Sequence, residues 1–252
     1  RRRSYIDEEF GIVSFVQIAR SERNVMTYVP SRGEFIYWQL SSGSELQTVD
    51  TRDRLEHLTL VDEETQRFLA AAAGDELVVV DNLTGSTVAT YPVSPIHAIS
   101  YDSETERILV LTEQAGRRTA LAFTYRSGRL RRNFYSLQNV SETAATLAAA
   151  GSDATRGFLV GSADGQLYAY SDADGSEQWT FSTGDAIAAT PALNESNDRI
   201  AVASTDGTLY LLDSSGTQVD TVSIPSGTRA SPVIDNGELF LPTADGTVYA
   251  FE

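Results

Sequence analysis

Asp164-Gly165-Gln166-Leu167-Tyr168-Ala169-Tyr170, Asp206-Gly207-Thr208-Leu209-Tyr210-Leu211-Leu212 and Asp245-Gly246-Thr247-Val248-Tyr249-Ala250-Phe251 are three copies of one phrase. Each sets a carboxylate and a glycine before a short run of mostly apolar and aromatic side chains. A further glycine, Gly175 or Gly216, follows the first two copies, and the same landmark recurs upstream at Gly43, Gly85 and Gly128. The spacings are 42, 43, 47 and 41 residues. Glycine suits a hairpin turn that needs positive φ, a region other residues enter at a steric cost.

Aligned back from those glycines, residues 35–40, 77–81, 120–124, 167–170, 209–212 and 248–251 read as equivalent strands with both faces apolar. A strand of that kind is buried between neighbouring sheets. A second landmark lies ahead of it: residues 62–67, 102–107 and 194–199 are polar turns that close on Arg before an apolar run, and residues 21–23, 153–156 and 235–237 hold the same slot. Their charged side chains read as solvated hairpin tips with weak surface pairs. Two landmarks in register define units of about 42 residues with four short strands each, which points to a β-propeller. The runs 69–73 and 144–150 are alanine-rich and favour helix by composition, but register places both on strands. Six units fit, although the sixth ends before a fourth strand while Ser4 to Asp7 precede the first unit. The expectation is an all-β, single-domain propeller over residues 1–252. Six four-stranded blades would be closed by residues 4–7 as the outer strand of the last, removing an exposed edge. A fragment of a seven- or eight-bladed ring is the competing reading.

The net charge is −16, and all 19 basic residues are Arg, with no Lys. Such acidity with lysine depletion resembles the proteins of salt-loving archaea, whose carboxylates tolerate one another at molar salt, where the screening length falls to about 3 Å. A GC-rich genome is the plainer alternative. The negative field repels nucleic acid and anionic lipid, so neither is an expected partner. Cysteine is absent, which excludes disulfides, thiolate metal sites and Cys nucleophiles. No apolar run reaches the roughly 18 residues that cross a bilayer. The chain starts at Arg1 and its one Met is Met26, so it is expected to be processed, trimmed or cut from something longer, and a signal peptide, lipid anchor or membrane helix would not be visible in it.

The run from Asp164 through Tyr168, Asp172 and Gly175 to Trp179 resembles the repeat of the PQQ-like propeller family, in which an Asp-Gly turn, a Leu-Tyr-Ala strand, an Asp, a turn Gly and a Trp recur. Asp206, Gly207, Tyr210, Asp213 and Gly216 match without the Trp, and Ala230-Ser231-Pro232-Val233 and Thr190-Pro191-Ala192 are similar to the family's inner-strand Ser-Pro-Val. The last 100 or so residues carry the likeness; Gly74 to Asp81 and Thr84-Gly85 are degenerate copies. The family's quinoprotein dehydrogenases hold pyrroloquinoline quinone and calcium in a larger eight-bladed ring. Its non-catalytic members, such as the lipoprotein of the bacterial outer-membrane assembly machine, are scaffolds. A chain this short, without Cys or a recognisable quinone or calcium constellation, implies the scaffold branch.

Candidate chemistry is sparse. His57 and His97 each stand five residues before a hairpin Asp, so both hold one repeat position on the inner strands of consecutive blades and by symmetry point the same way. Facing the channel, they form a ligand-binding candidate; otherwise they are structural. Asp172-Ala173-Asp174-Gly175 lacks the later ligands of a calcium loop and reads as a hairpin turn. No nucleophile elbow or phosphate-cradling loop is present. Arg117, Arg118, Arg126, Arg129, Arg131 and Arg132 gather in the third unit of an otherwise acidic chain, as a docking face or as partners of nearby carboxylates. The expected function is a non-enzymatic scaffold for other protein subunits in an envelope or surface assembly of a halophilic organism, outside the cytoplasm, with no catalytic residue, metal or cofactor; a cytoplasmic location is the alternative. The rival is a sensor or enzyme that takes a quinone, metal or sugar in the axial channel.

Overall fold

A computed structural model describes residues 15–18, 24–39, 41–61, 67–102, 106–114, 117–126, 128–133, 144–150, 157–171, 174–194, 199–224, 230–235, 237–243 and 247–251. Its regular structure is entirely β-strand among those residues. The strands form six sheets in which each strand lies beside the next in sequence. The first sheet is Phe15–Ile18, Asn24–Val29, Glu34–Gln39 and Ser44–Asp50, and the second is Glu56–Leu60, Phe68–Ala73, Glu76–Asp81 and Ser86–Pro92. The third is Ile96–Asp102, Arg107–Gln114, Arg117–Arg126 and Arg129–Asn133, and the fourth is Ala144–Ala150, Gly157–Ser162, Gln166–Ser171 and Glu177–Ser182. Ala192–Asn194, Arg199–Ala203, Thr208–Asp213 and Gln218–Ser223 make the fifth, and Val233–Asp235, Glu238–Pro242 and Val248–Phe251 the sixth.

The two sequence landmarks explain this layout. Gly43, Gly85, Gly128, Gly175 and Gly216 all sit in the left-handed region, with φ between 67° and 79°, at the turn between third and fourth strands. The polar turns 62–66, 103–105, 195–198, 153–156, 21–23 and residue 236 lie outside the described residues, yet first and second strands pair across each slot. Both alanine-rich runs are strands, as register requires. In the first of them, Phe68–Ala73, small side chains fit because this second strand is walled on both faces: Ala70, Ala71 and Ala72 are buried.

Burial grades across each sheet. Second and third strands carry the core, while fourth strands are mostly exposed. The third strand of the sixth sheet departs from the two-faced burial its sequence suggests, since Val248 and Ala250 are exposed. No fourth strand flanks it among the described residues. Residues 4–7, expected in that place, lie outside the described residues.

Contacts divide the chain into two compact units, Arg1–Ile108 with Thr124–Arg131, and Leu109–Phe123 with Arg132–Glu252. In the former, Met26, Tyr28, Phe35 and Val49 of the first sheet pack with Leu55 and with Leu69, Ala71, Val78 and Val80 of the second. Tyr37 Oη donates to Asn82 O at 3.1 Å, and Phe68 and Tyr125 rings meet at 5.6 Å, so the second sheet touches both its neighbours. The latter unit has an equivalent core between the fourth and fifth sheets and another between the fifth and sixth.

Candidate functional site

In the first, second, fourth and fifth sheets the fourth strand is an exposed edge, and its pairing with the third strand breaks at one recurring place. In the first sheet Tyr37 faces Gln47 and Trp38 faces Glu45, leaving Leu46 as an extra residue. The same count leaves Val88 in the second sheet, Gln178 in the fourth and Val219 in the fifth. Every one lies three residues past its turn glycine, and Arg131 holds that position in the third sheet. A bulge of this kind interrupts the ladder and re-aims a side chain. Leu46 is 52% exposed, Val88 36% and Val219 49%, and Gln178 and Arg131 are exposed as well.

The turns beside these bulges are held rigidly. Asp81 Oδ2 accepts from Arg67 Nε at 2.9 Å and Nη2 at 2.6 Å, while Oδ1 accepts from the Leu83 amide at 3.0 Å. The Arg67 guanidinium thus holds the buried Asp81 carboxyl below the usual carboxylate range. In the fifth sheet Asp213 Oδ1 accepts from the Ser215 hydroxyl and amide and from the Thr217 amide. Asp174 does the same with the Ser176 hydroxyl and amide, which keep its carboxyl low; Asp172 and Ala173, the rest of that acidic loop, lie outside the described residues. The turns at Asp81 and Asp213 also abut the preceding sheet. Trp179 Nε1 donates to Ser214 O at 3.1 Å, and a Cβ on Gly216 would stand 2.5 Å from the Trp179 ring.

The sequence-derived candidates are placed unevenly. His57 and His97 do lie on the first strands of the second and third sheets, which pack together. Their backbones differ: His57 adopts φ 53° where the register slips between Glu56 and Thr59. Its imidazole is surface-accessible, yet crowding by protein holds its pKa below the ordinary histidine value against the opposing pull of Glu56. His97 is half-buried with Nε2 enclosed. Among the described residues no group of three or more His, Cys, Asp or Glu side chains converges as a metal site. Of the arginines, Arg118 is mostly buried with Nη1 3.9 Å from Glu113, and Arg126 Nε donates to Glu106 at 3.1 Å. Arg117 lies on the same strand as both. Arg129, Arg131 and Arg132 project from the fourth strand as exposed side chains.

Two features escaped the sequence reading. Arg67 was grouped with weakly paired hairpin tips, but it grips a buried carboxylate. The bulge position was unmarked, although counting three residues past each turn glycine would have found it. A cleft of about 490 Å³ also opens in the C-terminal unit between the fifth and sixth sheets, floored by Leu209, Leu211, Ile234, Leu239 and Phe251 with Arg199 on its lining.

No curated protein matches the chain. Residues 2–180 match a family described as an N-terminal beta-propeller domain, and residues 163–252 match the family of the outer membrane protein assembly factor BamB. With the former covering more than half its length and the latter its clearest repeats, this chain belongs to the PQQ-like β-propeller family.

Proposed function

We propose that this chain is a non-enzymatic scaffold that holds a protein partner within an envelope or surface assembly of a salt-loving organism. The observation that carries the reading is the fourth strand of the third sheet, where Arg129, Arg131 and Arg132 stand exposed on a chain of net charge −16. A local reversal of sign on an acidic body orients and selects partners. The likeness of residues 163–252 to an assembly factor supports a role among other subunits. Pull-down at molar salt with the full chain as bait is expected to recover one partner in stoichiometric amount. Recovery of none, or a small-molecule stabilisation that disappears in His57→Ala, would overturn it in favour of a channel ligand.

The same reading takes residues 1–252 as a single domain and sets residues 4–7 on the outer edge of Val248–Phe251. Five sheets have four strands and the sixth has three among the described residues, with the cleft opening beside it. A fourth strand there would complete six blades and hide an edge that invites aggregation. Because the chain has no Cys, engineered pairs test this cleanly. Tyr5→Cys or Ile6→Cys combined with Val248→Cys or Tyr249→Cys should yield at least one disulfide on mild oxidation. Failure of all four pairs, with the variants folded, rejects closure by this segment.

A further inference from the structure

The bulge position carries information that edge protection does not explain. An exposed edge strand is normally guarded by charge, Pro or a bulge, and a bulge alone already spoils pairing with a foreign strand. Placing Leu or Val on that bulge works against solubility, yet Leu46 and Val88 do so in successive sheets, and Leu83 adds a third side chain, 51% exposed, on the turn beside Val88. Single exposed aliphatics are ordinary; the same repeat position exposing one again and again is not.

Leu46, Leu83, Val88, Arg129 and Arg131 all belong to the unit Arg1–Ile108 with Thr124–Arg131. Within it the first and second sheets share a core, and Phe68 of the second meets Tyr125 beside the hairpin that carries Arg129 and Arg131. Arg129 and Arg131 are both exposed on this short fourth strand. Among the described residues neither forms an ion pair, whereas Arg126 on the neighbouring strand is neutralised by Glu106.

Resting on the scaffold reading above, we infer that the fourth-strand bulges of the first two sheets and the fourth strand of the third form one docking surface. Its occupant is an acidic protein segment that places aliphatic side chains against Leu46, Leu83 and Val88 and carboxylates against Arg129 and Arg131. The sign of the partner follows from charge complementarity, since the exposed cations at this surface are arginines suited to bidentate carboxylate contacts. The aliphatic anchors supply affinity and the arginines supply orientation.

The test uses the full chain in the cells that make it, with a photo-crosslinking amino acid placed in turn at Leu46, Val88 and Arg131, and at Val219 as a control bulge in the other unit. All three test positions are expected to capture the same protein through a carboxylate-rich peptide, with no adduct to that protein from Val219. A synthetic copy of the captured peptide should bind Leu46→Ser/Val88→Ser and Arg129→Ser/Arg131→Ser at least tenfold more weakly than the unaltered chain, and Val219→Ser equally well. Capture of a second copy of this chain, of a basic peptide, or of nothing overturns the inference. If pull-down still recovers a partner while these positions stay silent, this surface is wrong and the scaffold reading stands; if pull-down also fails, the scaffold reading falls with it.

Discussion

The second and fifth sheets are built to the same plan from different side chains. Both pair their third and fourth strands with an extra residue at the same place, Val88 or Val219, and both turn on a glycine of positive φ. The fifth carries the family's Asp-Gly phrase. Asp206 there gathers the Thr208 amide, the Gly184 amide and the Tyr210 hydroxyl, and although burial pushes its carboxyl up, these bonds win and hold it low. The second has only Gly74-Asp75, whose side chain takes one bond from the Ser94 hydroxyl at 2.6 Å. At the next turn the second relies on the Arg67–Asp81 ion pair and the fifth on Ser215 and Thr217. What the two sheets share is therefore the backbone geometry of the turn and a third strand covered on both faces. The polar groups that secure the turn are interchangeable.

If that is right, altering the glycine should hurt more than altering any polar fastening. A Cβ on Gly85 would lie 1.8 Å from the Asp50 carbonyl oxygen, which is backbone and has little room to move. On Gly216 it would meet the Trp179 ring at 2.5 Å, and on Gly128 nothing within 4 Å. All three share the left-handed conformation, which costs an alanine about 1–2 kcal/mol; overpacking adds about 1–3 kcal/mol. Urea unfolding should rank the losses Gly85→Ala, then Gly216→Ala, then Gly128→Ala, with Gly85→Ala at about 2–5 kcal/mol by those two costs. A Gly85→Ala variant no less stable than Gly128→Ala would show that the turn does not dock rigidly on the first sheet.

Glycines and two-faced strands were legible in the sequence because few residues satisfy them: positive φ favours glycine, and a strand between sheets is apolar at nearly every position. The alanine runs yielded to register because propensity is weaker than burial. Other features depend on pairing across strands, which local pattern does not encode. Arg67 reads like Arg199 or Arg107 until the third strand brings a buried Asp81 beside it. Leu46 and Val88 look like any strand residue until the register shows each to be surplus. His57 shares a sequence position with His97, but only the pairing of its strand reveals the slip that turns its backbone left-handed. The third unit's arginines are visible as a cluster, and the structure thins the exposed set by burying Arg118 and pairing Arg126.

The polar fastenings should give the middle-sized effect. Asp81→Ala leaves Arg67 and the Leu83 amide without their acceptor, at a cost of about 1–3 kcal/mol, whereas Asp213→Ala strands only exposed donors that water can satisfy and costs less. Asp81 binds its proton less readily when folded than when unfolded. Its contribution is therefore present above the unfolded carboxylate pKa and lost as pH falls through the folded value. Asp81→Asn should be less stable at neutral pH and show a flatter decline below about pH 4. Equal acid slopes for Asp81→Asn and the unaltered chain would show that the pair is not formed.

The smallest effect belongs to a feature the fifth sheet lacks. Its first strand pairs with its second without a slip, Ala192 to Ala201, Leu193 to Ile200 and Asn194 to Arg199, whereas His57 interrupts the second sheet. Desolvation lowers the folded pKa of His57, so between the folded and unfolded values the unfolded chain holds a proton that the native one does not. Stability is then greatest above the unfolded histidine pKa of about 6.5 and declines as pH falls toward the folded value. Because the ring is surface-accessible, solvent screening limits the change to less than about 1 kcal/mol below the unfolded pKa of about 6.5. Asn tolerates the left-handed conformation and does not titrate, so His57→Asn should keep the slipped register and remove this slope. Thermal unfolding at several pH values reads the difference directly; an unchanged slope in His57→Asn would assign the acid sensitivity to other groups and leave the slip as a purely geometric feature of the second sheet.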